Sequence, residues 1–372
     1  MIETLDLSKL EAPVSVDREF DQRFLGDAIN YLKRIRDLSV DYITPTSKLQ
    51  IKETGDKWST WLDSPDGVKV FKPTPWALAQ TIGMTELPKK YHDALIAHGH
   101  IDEAVNHLNM WLHDEERNLQ IRTVDQDYRA LVSTGYVPFD NYDLFELISK
   151  AMSTANRMRD SRTKPALFYR AQVTDHNLYV HIIDEGREWD LGKGDTYKPM
   201  IVVKNSEVGD GALRLEIALW RYMCANLQIH GVISKKIHVG DKLAEGIWSP
   251  ETRQAQSNLW RHIVSDAMNL GLGSDQLFEP ILDGLRETKE IKISDPVVTV
   301  RKLAKANKMT ENEEKDIIAA MMGDTTVMPD DKGTLFQVIN GVTQAAKTQS
   351  IERGIEFNRI AGDIPAMIKV VA

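Results

Sequence analysis

Hydrophobic and polar positions change period several times along this chain, and each change marks a change of element. Phe24, Leu25, Ala28, Leu32 and Ile35 recur at helical spacing, which predicts an N-terminal helical arm ended by Pro45. Between 48 and 72 the pattern shortens to strands: Leu49 and Ile51, Trp58 to Leu62, and Val68 to Phe71, with turns at Gly55-Asp56 and Pro65-Asp66-Gly67. Thr74-Pro75 supplies an N-cap and a first helical proline for a helix through Trp76, Leu78 and Ile82. Two more helices are predicted over 88–97 and 101–113, the second with Ile101, Val105, Leu108 and Leu112 on one stripe.

The strand signal is strongest from 117 to 225. Leu119, Ile121 and Thr123 alternate with Gln120 and Arg122, and Asp125-Gln126-Asp127 turns the chain into Arg129 to Ser133. A helix over 141–157 carries Leu144, Phe145, Ile148 and Met152. Phe168 to Thr174 and Leu178 to Ile183 predict a hairpin about Asp175-His176-Asn177, and Met200 to Val203 another strand. Residues 212–224 hold the clearest period-two run, with Leu213, Leu215, Ile217 and Leu219 on one face. From Ser249 onward only helices are predicted, over 252–271, 275–287, 296–306, 311–322, 333–347 and 351–361, with Thr310 and Glu313 forming a capping box. The expected fold is therefore α+β: a central antiparallel or mixed sheet with packed helices, followed by an all-α C-terminal region. The candidate boundary divides a core domain, 1–248, which includes the N-terminal arm, from a helical domain, 249–372.

Charge alters the picture of partners. The 372 residues carry 46 Lys and Arg against 55 Asp and Glu, a net charge of −9, so coat-like binding of nucleic acid over the whole surface is not expected. A local basic groove on an acidic body stays compatible with that total. A single cysteine, Cys224, excludes an intramolecular disulfide and any all-cysteine metal site, and its apolar neighbours predict a buried structural thiol. The opening MIETLDLSKLEAP has acids and no long apolar core, and no stretch reaches the length of a membrane span. A cytoplasmic protein without a membrane partner is expected.

Candidate chemistry is sparse. Gly192-Lys193-Gly194-Asp195-Thr196 lacks phosphate-loop spacing, and Gly271-Leu272-Gly273 follows a helix rather than a strand. His100, Glu103 and His107 share a helical face, but the HExxH spacing is absent, so neither a metal nor another cofactor is expected. No nucleophile pair stands out, and catalysis is not expected. Arg301, Lys302, Lys305 and Lys308 precede a turn and a helix, but that helix opens on Glu311, Glu313 and Glu314, which phosphates repel. The strongest physical signal is a basic cluster from 151 to 170: Arg157, Arg159, Arg162, Lys164 and Arg170 against Asp160 alone, with Phe168 and Tyr169 inside it. Cations for phosphates beside aromatics for bases are what single-strand binding uses. Lys235 and Lys236 are expected to complete the groove.

Three ordered segments also resemble the phage/plasmid-like protein family, domain of unknown function 932. The first runs from Asn118-Leu119-Gln120-Ile121-Arg122-Thr123 through Tyr128-Arg129-Ala130-Leu131-Val132-Ser133 to Asn141-Tyr142-Asp143. The second is Lys204 to Ala212, containing Asn205-Ser206-Glu207-Val208-Gly209-Asp210-Gly211, followed by Leu219-Trp220-Arg221-Tyr222-Met223-Cys224-Ala225-Asn226. The third is Thr334 to Ala346, with Val338-Ile339-Asn340-Gly341-Val342-Thr343-Gln344 at its centre. Leu227 stands where the family often has glycine, and Ser133-Thr134-Gly135-Tyr136 where it usually has an acid and an arginine. The resemblance implies a phage or mobile-element protein in a bacterial host cell. There is also a weaker, fold-level likeness to phage single-strand annealing proteins, which implies a homo-oligomer. Together these lead to the expectation of a non-enzymatic protein that binds single-stranded DNA in recombination, annealing or replication. The alternative is a phage protein that binds a host protein, in host takeover or anti-defence, without touching DNA.

Overall fold

The first element of the described residues is a short strand, β1 (Phe20–Gln22), followed by helix α1 (Leu25–Leu38), whose Ala28, Leu32 and Ile35 are buried while Phe24 stays exposed at the N-cap. The computed structural model describes residues 20–54, 57–136, 138–236 and 250–367; the expected turn at Gly55-Asp56 lies outside them. Helix α1 stops well before Pro45: the Ser39 hydroxyl donates to the Ile35 carbonyl at 2.8 Å, and β2 (Ser39–Pro45) follows directly. The short alternating runs become β3 (Leu49–Thr54), β4 (Lys57–Ser64) and β5 (Gly67–Pro73). Helix α2 (Pro75–Met84) is capped by Thr74, whose Oγ1 accepts from the Ala77 amide at 3.1 Å. Helices α3 (Lys89–Ala97) and α4 (Ile101–Asp114) precede the hairpin of β6 (Asn118–Val124) and β7 (Asp127–Ser133). After α5 (Asn141–Arg157) come β8 (Ala166–Val173), β9 (Leu178–Asp184), the two-residue β10 (Trp189–Asp190), β11 (Thr196–Asn205), β12 (Leu213–Arg221) and β13 (Asn226–Lys236). Among the described residues the elements that follow are helices: α6 (Pro250–Gly273), α7 (Glu279–Glu290), α8 (Pro296–Ala306), α9 (Glu311–Gly323), α10 (Leu335–Ala345) and α11 (Ile351–Asp363). On α9 the capping box is complete, with the Thr310 amide donating to Glu313 Oε2 at 2.7 Å and the Glu313 amide to Thr310 Oγ1 at 3.3 Å.

The fold is α+β, with two sheets and a C-terminal all-helical region. One sheet has the order β1-β8-β9-β11-β12-β13, with β10 paired to β11, and all its pairings are antiparallel. The other has the order β2-β6-β7-β5-β4-β3 and is mixed, because β5 and β7 run parallel where Lys72 and Pro73 meet Asp127 and Tyr128. One face of the larger sheet is packed by Phe145 and Ile148 of α5 and Trp260, Val264 and Met268 of α6, against Val180, Ile182, Ile201 and Val203. On the opposite face Ile351 and Ile355 of α11 meet Tyr179, Met200, Val202, Ala218 and Ile229. Tyr197 and Leu219 join a third apolar cluster with Phe278, Leu303, Phe336 and Phe357. The C-terminal helices thus bury their apolar stripes against the sheet itself. Helix α11 comes so near β13 that a Cβ on Gly362 would collide with the Ile229 carbonyl.

A charged plug joins the two sheets. Gly209 and Gly211, at φ 84° and 91°, let the chain turn tightly between β11 and β12. That turn places Val208 among Ala130, Val132 and Tyr136, and its carbonyl accepts from Trp76 Nε1 at 3.1 Å and Gln80 Nε2 at 2.7 Å. Beside it Arg129 Nη1 donates to Glu207 Oε2 at 2.7 Å, both side chains being 4% exposed. Arg122 donates to the Glu207 carbonyl at 2.6 Å and to Asp41 at 2.9 Å and Asp140 at 3.2 Å. Burial alone would lower the Arg122 pKa; the carboxylates of Asp41, Asp140 and Glu207 instead hold it above its ordinary value.

Candidate nucleic-acid interface

The basic cluster of 157–170 is divided by the fold. Arg159 lies in the turn after α5 and forks onto both carboxylate oxygens of Asp184, which is 1% exposed. It also donates to the Lys164 and Leu272 carbonyls, each at 3.1 Å. Arg187 approaches the same carboxylate at 2.8 Å and reaches the Gly271 carbonyl at 2.7 Å. Burial would raise the Asp184 pKa, but the Arg159 bond and the two guanidiniums hold it below the usual carboxylate range. Two cations therefore close the carboxyl end of α6, where the helix has unsatisfied carbonyls. Arg157, Arg162 and Lys164 remain exposed on the surface nearby. Lys235 and Lys236 end β13, in register with Arg214 and Leu213; their side chains lie outside the described residues.

The two aromatic residues of the cluster point to opposite faces. A β-bulge in β8, between Phe168 and Arg170, breaks the alternation. Phe168, Ala171 and Val173 pack on the face covered by α5, where Phe168 meets Phe145 edge-on at 5.6 Å. Tyr169, Arg170 and Gln172 line the other face. A strand could not use Phe168 and Tyr169 together.

The three segments that carry the family resemblance bond to one another. Asn205 Nδ2 donates to the Phe139 carbonyl at 2.7 Å and to Asn141 Oδ1 at 2.8 Å, while Glu207 pairs with Arg129. Arg221, fully buried, donates to Asp195, to Asn340 Oδ1 at 2.9 Å and to the Thr326 carbonyl at 2.9 Å. Asn226 reaches the same Asn340 oxygen at 3.5 Å. These residues brace the interior, which is a structural reason for their types. Cys224 is only partly buried, in the turn after β12, where its Sγ lies 3.7 Å from Arg221 Nη1. His107 Nδ1, on α4, bonds Tyr91 at 3.0 Å, and His100, at the N-cap of that helix, faces Glu103 at 4.0 Å. Among the described residues no group of histidine, cysteine and carboxylate side chains has a metal-holding arrangement.

A cleft of about 520 Å³ opens between the face of the larger sheet and helices α10 and α11. Tyr169, Arg170 and Gln172 of β8, His181 of β9, Trp220 of β12 and Leu227 of β13 form its floor, with Lys347, Ser350 and Asn358 across from them. Its charged lining is Arg23, Arg170 and Lys347 against Asp21, which pairs with Arg170. Aromatic rings continue in a row: Tyr169 lies 5.8 Å from Trp220, and Trp220 5.6 Å from Tyr222, which is 63% exposed. Arg23 stands over Tyr169 at 5.9 Å and Lys198 over Tyr222 at 5.5 Å. Sequence reasoning missed this row. The Trp220 and Tyr222 spacing was a readable signal; the long-range approach of Tyr169, Arg23 and Lys347 was not. Comparison of the chain with protein-family models, curated proteins and solved structures finds no match.

Proposed function

We propose that this chain is a non-enzymatic single-strand DNA-binding protein of a phage or mobile element, acting in recombination, annealing or replication. The carrying observation is the row Tyr169, Trp220 and Tyr222 with Arg23, Arg170 and Lys347 beside it. The rings are tilted or edge-on to one another, so it is their outward faces, that of the exposed Tyr222 above all, that offer bases a surface to stack on, while the cations meet the phosphates. The resemblance to phage/plasmid-like proteins supplies the setting. The reading keeps Tyr169 and Arg170 from the original cluster and replaces Arg159 and Phe168, whose bonds and packing are internal, with Trp220, Tyr222, Arg23 and Lys347.

Filter binding with single-stranded oligonucleotides across a salt series tests it. The parent protein should lose affinity steeply as salt rises, by about 0.7 log unit per log unit of salt for each phosphate neutralised. Tyr222→Ala should weaken binding by about 1–3 kcal/mol, the worth of one stacked base. Arg23→Ala should lower the salt slope by about 0.7. A parent protein that binds no oligonucleotide, or a Tyr222→Ala variant as tight as the parent, overturns the proposal.

A second reading, a protein that docks on a host protein, draws on the small sheet, where Ile43 is 60% and Val68 57% exposed. Large exposed apolar side chains suit a protein partner better than a phosphate backbone. Absence of oligonucleotide binding at any salt would favour it.

A further inference from the structure

The cleft carries more hydrogen-bonding chemistry than a stacking surface needs. Three of its lining residues hold a buried polar atom without a partner: His181 Nε2, Trp220 Nε1 and Asn358 Oδ1. Such atoms occur elsewhere in the described residues too; here three of them belong to residues that line one cleft beside exposed cations and ring faces, and a polar ligand seated there would complete the set. The three differ in kind. An indole N–H only donates and an amide oxygen only accepts, whereas a neutral imidazole nitrogen does either, according to its tautomer. His181 is 3% exposed, and burial together with the Arg170 charge pushes its pKa down to about 3, so the ring is neutral at physiological pH. Mixed donors and acceptors match a nucleobase edge, which offers both side by side. Tyr169 and Trp220 add ring faces, and Arg23 and Lys347 add exposed positive charge. The volume lies within the range of small-molecule sites.

We infer that this cleft is a pocket for a single nucleotide, whose base edge is read by His181, Trp220 and Asn358 and whose phosphate meets Arg23, Arg170 or Lys347. The inference rests on the strand-binding reading of the same face and deepens it. A base of a bound strand and a free nucleoside monophosphate present the same chemistry, so either can fill the pocket. On a strand the consequence is base preference at one position, in a protein that otherwise binds without regard to sequence.

The test titrates the full chain with each of the four 5′-deoxynucleoside monophosphates, with inorganic phosphate, and with the four homopolymeric oligonucleotides, following binding by calorimetry. One monophosphate should bind at least about tenfold tighter than the others, the discrimination that one well-placed hydrogen-bonding pair gives. The matching homopolymer should show the same preference, and inorganic phosphate should not displace the nucleotide. His181→Phe and Asn358→Leu should each remove the preference. Asn358 is only half-buried, so its variant carries the test should His181→Phe fail to fold. Equal binding of all four monophosphates, or a preference unchanged in Asn358→Leu, overturns the pocket. Oligonucleotide binding without any monophosphate binding overturns the pocket and leaves the strand reading standing. Monophosphate binding without oligonucleotide binding does the reverse, and makes this a site for a free nucleotide.

Discussion

Arg159 places its donors inside the protein, on Asp184 and on the Lys164 and Leu272 carbonyls, whereas Arg162 is 90% exposed beside Asp160. The two stand three residues apart and look alike in the sequence. Replacing Arg159 by alanine leaves a buried carboxylate short of a partner and the end of α6 short of a donor. Arg187 still holds Asp184, so the loss should fall near the lower end for a broken buried pair, about 3 kcal/mol. Arg162→Ala should leave the urea midpoint where it is. Equal midpoints for the two variants would show that Arg159 is no brace. An alanine substitution of the whole cluster therefore changes stability as well as charge, and is a poor probe of DNA binding.

Among the elements, helix α11 is tightly constrained, because at Gly362 it meets β13 with only a hydrogen where other residues have a Cβ. Gly362→Ala would push the helix off the Ile229 carbonyl, and overpacking of this kind costs about 1–3 kcal/mol. A fall in the urea midpoint is expected; an unchanged midpoint would mean that the helix has room to shift. Legibility at this scale followed periodicity. Helix α5 was readable end to end, because Leu144, Phe145 and Ile148 are all buried on one stripe. Strand β2 was not, because it follows α1 with no residue between them, and β1 is too short to show a period. Strand β13 was missed for another reason: its pairing with β12 shifts register between Leu215 and Glu216 and again between Ile217 and Ala218, so no single alternation describes it. The candidate site was readable only as charge. What decided each arginine's role was a partner far along the chain, Leu272 for Arg159 and Asp21 for Arg170, which no local pattern displays.

At the scale of the molecule, one imidazole sits where four parts meet. His176, in the β8–β9 turn, bonds the Asp175 carboxylate and stacks on Trp76 of α2 at 4.7 Å. Its Nε2 lies 3.5 Å from Glu352 of α11 and 3.7 Å from Asp210 of the β11–β12 turn, which Lys204 also approaches at 3.4 Å. Burial would lower its pKa, but Asp175, then Glu352 and Asp210, raise it above the ordinary 6.5. The charged ring thus stabilises the fold fully below pH 6.5, and that contribution disappears as pH rises through the raised value. The difference in urea midpoint between the parent and His176→Gln should accordingly be largest below pH 6.5 and narrow as pH rises through the raised value. A difference that is constant or widens would contradict this assignment. The pairing of β1 with β8 has a consequence of another sort. Phe20 lies opposite Val173, so on the ribosome the first strand waits for some 150 residues to be made before it has a neighbour. Strands β2 to β7 lie together in the chain and can close among themselves in the meantime. The cleft takes Asp21 from that waiting strand and Asn358 from α11, so a chain released before α11 is made lacks one of its walls. The cleft is therefore assembled only once α11 has been made, however early the strands beneath it pair.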